Sequence, residues 1–544
     1  MRGFDFLIVG AGPTGLVSAN LLGALGFSLL VVERNAGTSS EAKAISIDDE
    51  SLRTMERAGL GSLLKDIVQP GTGTRYYGRD GQPLYHARGP EPPLHGHPIK
   101  SPFAQPELEA ALLAGLDRFD SVEVEFDTRL DGLTEVADGV EARIERAGEV
   151  ETVRCSYLLG CDGGRSTVRE QLGIEMEGLS FSQRWIVIDT LGDAHDERYG
   201  LHHGDPHRPH VVIPGREGRC RYEFLLKDGE ATTEPIPHEF LQQLLADERS
   251  LRPEQVERVA VYRFHALLAE HWQRGRSFLL GDAAHMMPPF AGQGLNSGVR
   301  DANGLTWRLA QVASGRGGEA LLSSYEVERR PHAKATIDHS VHLGEIVMTT
   351  SAKRAYLRDK VIGLGMKLPP VQRYLEEMRF RPTQRFRDGF VSEAGGSSDL
   401  IGRVLGQPRV LRPDGGTPLL DELLGTGFAL IAVDVPDQEL ERLADGRLWD
   451  DVLRARRLSA SFDRYPTDHE GRLGIADYDG GLRHLLGPVA GRLVLVRPDR
   501  FVAAAFEPGR AEAAARDLRA RLGAPPGAAT STVDKTSKEK ETSS

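Results

Sequence analysis

The sequence predicts an α/β protein: a doubly wound first domain, an antiparallel sheet inserted into it, and a further α/β unit near the C-terminal end. Three observations carry this. A short apolar run at 4–9 enters a glycine turn and then a helical stretch. Two later apolar runs end in Asp162-Gly163 and Gly281-Asp282. Between them, residues 180–275 hold stretches that alternate polar and apolar, as half-buried antiparallel strands do.

Each element follows in order. The run 4–9 (FDFLIV), a helix over 13–25 and a second apolar run at 28–33 make a βαβ unit at the start of the chain. Residues 76–104, rich in Gly, Pro and His, read as loop with edge strands. A helix is expected over 105–116, where Leu108, Leu112 and Leu116 recur every four residues. Strands are expected at 122–126, 140–145 and 157–160, then at 185–190 and 220–226 in the inserted sheet. The buried run 277–280 precedes a long helix with Leu295, Val299, Ala302, Leu305, Leu309 and Val312 on one face. Residues 330–395 look largely helical and basic. A Gly-, Ser- and Pro-rich linker leads to a last domain with strands at 428–433 and 493–496. The polar, low-complexity stretch 524–544 is expected to be disordered.

Composition bounds the function. The 544 residues include 67 basic and 79 acidic ones, a net charge of −12, which argues against a phosphate-tracking nucleic-acid surface. Cys155, Cys161 and Cys220 are the three cysteines and form no C-x-x-C pair. Metal ribbons and dithiol chemistry are thereby excluded. No apolar run reaches the roughly 18 residues that span a bilayer. The N-terminus lacks the long apolar core and cleavage site of a signal peptide. The expectation is a cytoplasmic protein that binds neither membrane nor nucleic acid.

The first motif is Gly10-Ala11-Gly12-Pro13-Thr14-Gly15. Its glycines permit a tight turn, close approach of a pyrophosphate and close packing of helix on strand. Anionic phosphates would then sit at the helix N-terminus. Glu33, 18 residues beyond Gly15 and followed by Arg34, stands where a carboxylate binds ribose hydroxyls. These features predict a dinucleotide site without separating FAD from NAD.

Two later motifs separate them. Asp162-Gly163 closes one buried strand; Gly281-Asp282 closes another, followed by Pro288 and then Gly292-Gln293-Gly294-Leu295-Asn296. In these motifs the chain resembles the class A flavoprotein aromatic hydroxylases, typified by p-hydroxybenzoate and phenol hydroxylases. Within that family, Ile47-Asp48-Asp49-Glu50, Trp185 to Thr190, the run from Met286 to Gly294 and Leu495-Val496-Arg497-Pro498-Asp499 look most like 3-(3-hydroxyphenyl)propionate hydroxylases and related phenol hydroxylases.

The resemblance implies a Rossmann-like FAD-binding domain (1–75, 105–170 and 276–330) and a substrate-binding sheet domain (76–104 and 171–275). A helical segment (331–395) and a thioredoxin-like domain (400–523) follow, the latter serving packing or oligomerisation; a homodimer is open. It implies that Asp162 and Gly163 contact FAD, that Asp282 binds the ribityl chain, and that the turn from Gly292 to Asn296 faces the flavin ring. Gln105 matches a contact near the adenosine. Lys43 stands where relatives carry Arg, either holding the cofactor or as a solvated loop lysine. NAD(P)H would reduce FAD, binding transiently because no second glycine-rich fingerprint exists. O₂ would then form a C4a-hydroperoxide that hydroxylates a phenolic substrate, either a small phenylpropanoid-type acid or a large polyketide phenol. Baeyer–Villiger oxygenation and a non-enzymatic flavin-binding role are the rivals.

Asp48 lies five residues before Arg53-Thr54, at the place of a phenol hydroxylase Asp that helps deprotonate substrate. It either serves as that base or, with Asp49, caps the next helix. His202, His203, His207 and His210 cluster in a loop-like stretch without helical i, i+4 spacing, so no metal site is expected. His285 reads as structural.

Overall fold

The computed structural model describes residues 1–41, 43–231, 235–441, 448–469 and 471–523. The 524–544 tail lies outside the described residues.

A parallel sheet organises the N-terminal part. Its strands lie in the order Ser277–Leu279, Glu149–Gly160, Arg2–Val9, Leu29–Val32, Val122–Glu125, all parallel. Phe6, Leu7, Ile8 and Leu29–Val32 are buried, because the sheet is covered on both faces; hence the continuous apolar runs in place of alternation. The register aligns Val9 with Val32 and with Gly160, and Gly160 with Leu279. The residues that follow these strand ends are therefore neighbours: Gly10, Glu33, Cys161-Asp162 and Leu280-Gly281. Three motifs spread over some 290 positions meet at one sheet edge for this reason.

The helices Pro13–Gly23 and Gly294–Ala313 pack together on the sheet. Strand Thr128–Val136 was not expected; with Gly139–Arg146 it forms a meander running into Glu149–Gly160. Its Gly132 and its charges mask the strand pattern.

The inserted sheet has eight strands. Their order is His285–Met286, Val256–Ala269, Met176–Thr190, Cys220–Leu225, His210–Pro214, Gly200–His203, Thr74–Tyr77, Pro83–Ala87. All neighbours are antiparallel except Gly200–His203 against Thr74–Tyr77. Strand Met176–Thr190 is longer than the 185–190 expected, with a register shift between Ser180 and Arg184.

Helix Glu319–Val347 runs unbroken through Pro331, so the chain changes nothing at position 330. Helices Ala352–Gly365 and Pro369–Glu376 follow, then irregular chain. The C-terminal sheet contains Arg456–Ser461, Ala429–Val433, Arg492–Val496 and Val502–Phe506 in that order, the first pair parallel and the rest antiparallel. It meets the N-terminal part through buried ions: Arg497 pairs with Glu328 at 2.8 Å, and Trp307 Nε1 donates to Asp499 at 2.9 Å.

Candidate active site

At the sheet edge the chain approaches itself closely. Gly10 has φ +105°, and a methyl there would stand 2.5 Å from the Cys161 carbonyl oxygen. A methyl on Gly281 would meet Thr14 Oγ1 at 2.8 Å, and one on Gly298 at 2.2 Å. Glycine is what lets the three turns interlock. In contrast, a methyl on Gly12, Gly163 or Gly294 would meet nothing within 4 Å. Those positions border open space.

The helices Pro13–Gly23 and Gly294–Ala313 both begin there without a side-chain cap. Their first-turn N–H groups are left to water or a ligand, and the helix dipole favours an anionic one. Asp282 is exposed at this edge with no hydrogen-bond partner among the described residues.

Several expected cofactor residues have protein partners here. Glu33 accepts from Ala11 N at 3.0 Å and from Asn35. Asp162 accepts from Ser166 Oγ at 2.5 Å and Val168 N at 3.0 Å, holding its own turn. Gln105 accepts from Ala44 N at 2.6 Å and donates to Glu109, fixing the loop that bears Lys43. Arg34 and Lys43 are exposed, and the Lys43 carbonyl accepts from Arg221 at 2.8 Å. Pro288 is buried, its carbonyl accepting from Ser340 Oγ at 2.6 Å. Leu295 is half-buried.

The Gly281-Asp282 turn is set by Asp301, which is buried together with its partners. It accepts from Gly281 N at 3.0 Å, His285 Nε2 at 2.7 Å and Arg329 at 3.0 Å. His285 is thus structural. Arg169 joins the two Asp-Gly-type turns by donating to the Gly164 and Ala283 carbonyls.

Beside the Gly292 turn lies an acidic cluster. Asn296 accepts from Asp48 N at 3.0 Å and Ser51 Oγ at 2.8 Å, and donates to the Gly292 carbonyl at 2.8 Å. Its side chain ties the turn to the helix Asp49–Arg57. Asp48 caps that helix: Oδ1 accepts from Ser51 N at 3.0 Å, while Oδ2 pairs with Arg300 and with Arg381 at 3.3 Å. Both oxygens are committed. Asp49 is buried with no hydrogen-bond partner among the described residues. Burial and the neighbouring Asp48 charge push its carboxyl up to about 7, against the pull of Arg381.

The inserted sheet carries an aromatic face that includes Phe290 of the neighbouring turn. Trp185, Phe264 and Phe290 form a triangle with centroids 5.5–5.8 Å apart, and Tyr76 stacks on Tyr85 at 4.7 Å. Phe290 belongs to the turn that leads into Gly292, so the aromatic triangle adjoins the glycine turn.

On the opposite face, Tyr77, His203, His210 and Phe224 are directly paired across four strands. Their rings form a stack, His203 on His210 at 4.3 Å and 7°. Glu248 lies close enough to join both histidines as a ligand set. Imidazole lone pairs lie in the ring plane, so two parallel stacked rings do not converge on one ion. His202 points the other way, against Tyr76 at 5.1 Å; His207 is exposed.

Comparison with known proteins places the chain. Residues 4–340 match the FAD binding domain family, and residues 402–521 the HcaD C-terminal domain family. A 3-(3-hydroxy-phenyl)propionate/3-hydroxycinnamic acid hydroxylase of Mycolicibacterium smegmatis is 36% identical over 508 residues, 92% of this chain and 90% of that one. Its namesake in Klebsiella pneumoniae is 37% identical over 512 residues, 91% of each chain. The chain belongs to the FAD-dependent aromatic hydroxylases.

Among solved structures, the flavin-dependent monooxygenase PieE in complex with FAD and substrate matches with TM-score 0.80 at 21% identity, covering 96% of this chain and 99% of that one. Aklavinone-11 hydroxylase with FAD and aklavinone matches with TM-score 0.74 at 23% identity, with 96% and 99% covered. These likenesses show the fold. The hydroxylase is an FAD-dependent monooxygenase, and NAD(P)H is the electron donor of its family. The uncapped helix ends, the open space at Gly12 and the unpartnered Asp282 fit FAD. Among the described residues, no helix is long and apolar enough to cross a membrane.

Sequence reading weighed Asp49 only as a cap, and it did not single out Arg300, Arg381 or Lys100, which the structure brings to this cluster or to the Gly292 turn. Arg300 had a signal: it and Asp301 interrupt an otherwise buried helical stretch, and buried charges need partners. Arg381 and Lys100 sit in irregular chain, where periodicity says nothing about direction.

Proposed function

We propose that the hydroxylase oxygenates a phenolic aromatic acid, with Asp49 as the group that takes the phenol proton. What supports this is the buried Asp49 carboxyl, unpartnered among the described residues and pushed up to about 7 beside Asp48. The Asp48 backbone is tied through Asn296 to the Gly292 turn, and Phe290 of the Trp185–Phe264–Phe290 triangle enters that same turn. We read these as walls of one substrate chamber. A general base works best with a pKa near the working pH. Asp48, with both oxygens committed, sets the charge around Asp49 and anchors Arg300 and Arg381. A ketone bound for Baeyer–Villiger oxygenation needs no such acceptor, which favours hydroxylation.

In this reading the turn Gly10–Gly15 and Gly163 line the pyrophosphate, and Glu33, Arg34, Lys43 and Gln105 serve the adenosine half. Asp282 accepts from the ribityl chain. The turn from Gly292 to Asn296, reached through Pro288, borders the ring. Bound FAD supplies reducing equivalents from NAD(P)H and the activation of O₂. The rings of Trp185, Phe264 and Phe290 keep water from the reacting centre.

The parallel sheet is read as the Rossmann-like FAD domain and the eight-stranded sheet as its substrate-binding insert. The C-terminal unit is read as thioredoxin-like, supported by its strand order and its closing β-hairpin and helix Ala511–Leu522. It serves packing, and a homodimer formed through it is part of the proposal, as is a cytoplasmic location. Phenolic acids named for the relatives, 3-(3-hydroxyphenyl)propionate and 3-hydroxycinnamate, are the first substrates to try. A panel of phenols, scored for stimulated NAD(P)H oxidation and hydroxylated product, tests the reading. Stimulation by ketones and none by phenols would overturn it.

A further inference from the structure

We infer that Lys100 is the anion-recognition residue of the chamber and pairs with the carboxylate of the phenolic acid. This rests on the hydroxylation reading above and deepens it. Lys100 directly precedes the strand Ser101–Pro102, whose antiparallel partner is Ser46–Ile47, with Ile47 opposite Ser101. That register sets Lys100 across from Asp48, at the head of the acidic turn. Its ammonium has one hydrogen bond, to Thr74 Oγ1 at 3.4 Å. No carboxylate lies within 4.0 Å of it among the described residues.

The ammonium borders the glycine turn. A methyl on Gly292 would stand 3.7 Å from Lys100 Nζ and 3.0 Å from Ser46 Oγ. His202 and Glu223 face it from the inserted sheet, and Arg381 from the irregular chain. Glu223 acts on the lysine from beyond ion-pair distance, so no carboxylate is in direct contact with the ammonium among the described residues. Burial and the Arg381 charge bring the lysine down to about 8. A half-buried cation without a carboxylate in direct contact carries a desolvation cost, which an anionic ligand group offsets. A phenolic acid brings two ionisable ends to the chamber. Asp49 serves the phenol, and Lys100 serves the carboxylate.

The test uses the FAD-loaded enzyme and its Lys100→Met and Lys100→Arg variants. The probes are 3-(3-hydroxyphenyl)propionate and its primary amide, each titrated against the flavin absorbance. Lys100→Met is expected to weaken the acid roughly 10- to 100-fold, the size of one hydrogen bond to a charged group, and to leave the amide within about twofold. Lys100→Arg is expected to recover part of the acid affinity. The flavin midpoint potential is measured alongside. Equal loss for acid and amide, or no loss for either, overturns the inference. So does a shifted potential with unchanged acid affinity, which would assign the ammonium to the reduced flavin. If neither the acid, the amide nor any neutral phenol perturbs the wild-type flavin, the hydroxylation reading itself falls and takes this inference with it.

Discussion

At the head of the helix Asp49–Arg57, Asp48 spends one oxygen on Ser51 N and the other on Arg300 and Arg381, while Asp49 beside it has no hydrogen bond. Asp49→Asn is therefore expected to lower turnover roughly 100-fold or more. It should also remove the rise in rate that the wild type shows as pH passes about 7. A pH–rate profile of both proteins checks this; an unchanged profile would remove Asp49 as the base. Stability gives an independent reading. The folded carboxyl is raised to about 7 from 3.8, so from about pH 4 to 7 the folded chain holds a proton that the unfolded chain has lost. Stability contributed by that proton is fully present below the unfolded value and is lost as pH rises through about 7. Asp49→Asn should thus melt higher than wild type at pH 8 and level with it at pH 4. Asp282, exposed and unpartnered, is the matching test for the cofactor. Asp282→Ala should weaken FAD about 10-fold or more, and more than Asp48→Ala does, on titration of the apoprotein. Equal affinities would contradict the ribityl role. The acidic run was legible in the sequence, and so was the capping role, one of the two read for Asp48; which oxygens are already engaged needed the fold.

The helix Gly294–Ala313 does more than bury an apolar stripe. Asn296 holds the glycine turn to Asp48, Arg300 holds the acidic cluster, and Asp301 holds the Gly281-Asp282 turn through Gly281 N, His285 and Arg329. Asp301→Asn would leave Arg329 buried without its counter-charge, a loss of about 3–5 kcal/mol for a broken buried pair. Thermal melts should show that loss, with FAD released before the global transition. A variant that melted and bound FAD like wild type would mean that the turn is held some other way. The buried parallel strands and the long helix were readable, because continuous apolar runs and a 3.6-residue stripe are strong signals. Thr128–Val136 was not, since Gly132 and its charged neighbours break the alternation. The long extension of Met176–Thr190 was hidden for a similar reason: its first half is mostly exposed.

Across the whole molecule, sheet register does what no local pattern could state: it brings Gly10, Cys161-Asp162 and Gly281-Asp282 to one edge. The motif order was visible; the convergence needed the fold. The C-terminal unit is bound to the FAD-binding part by Arg497, fully buried between Glu328 and Asp499. Arg497→Met should cost about 3–5 kcal/mol by stranding those carboxylates, and it should split one melting transition into two. A single unshifted transition would show that the two units are held by other contacts. The account as a whole claims that this architecture moves one oxygen atom from O₂ to a phenolic acid at the expense of NAD(P)H. The most direct measurement supplies ¹⁸O₂, NAD(P)H and 3-(3-hydroxyphenyl)propionate to the FAD-loaded enzyme and examines the product by mass spectrometry. The account predicts a hydroxylated acid that carries one ¹⁸O atom for each NAD(P)H consumed; label drawn from water, or NAD(P)H oxidation that yields only hydrogen peroxide across the phenolic acids, would contradict it.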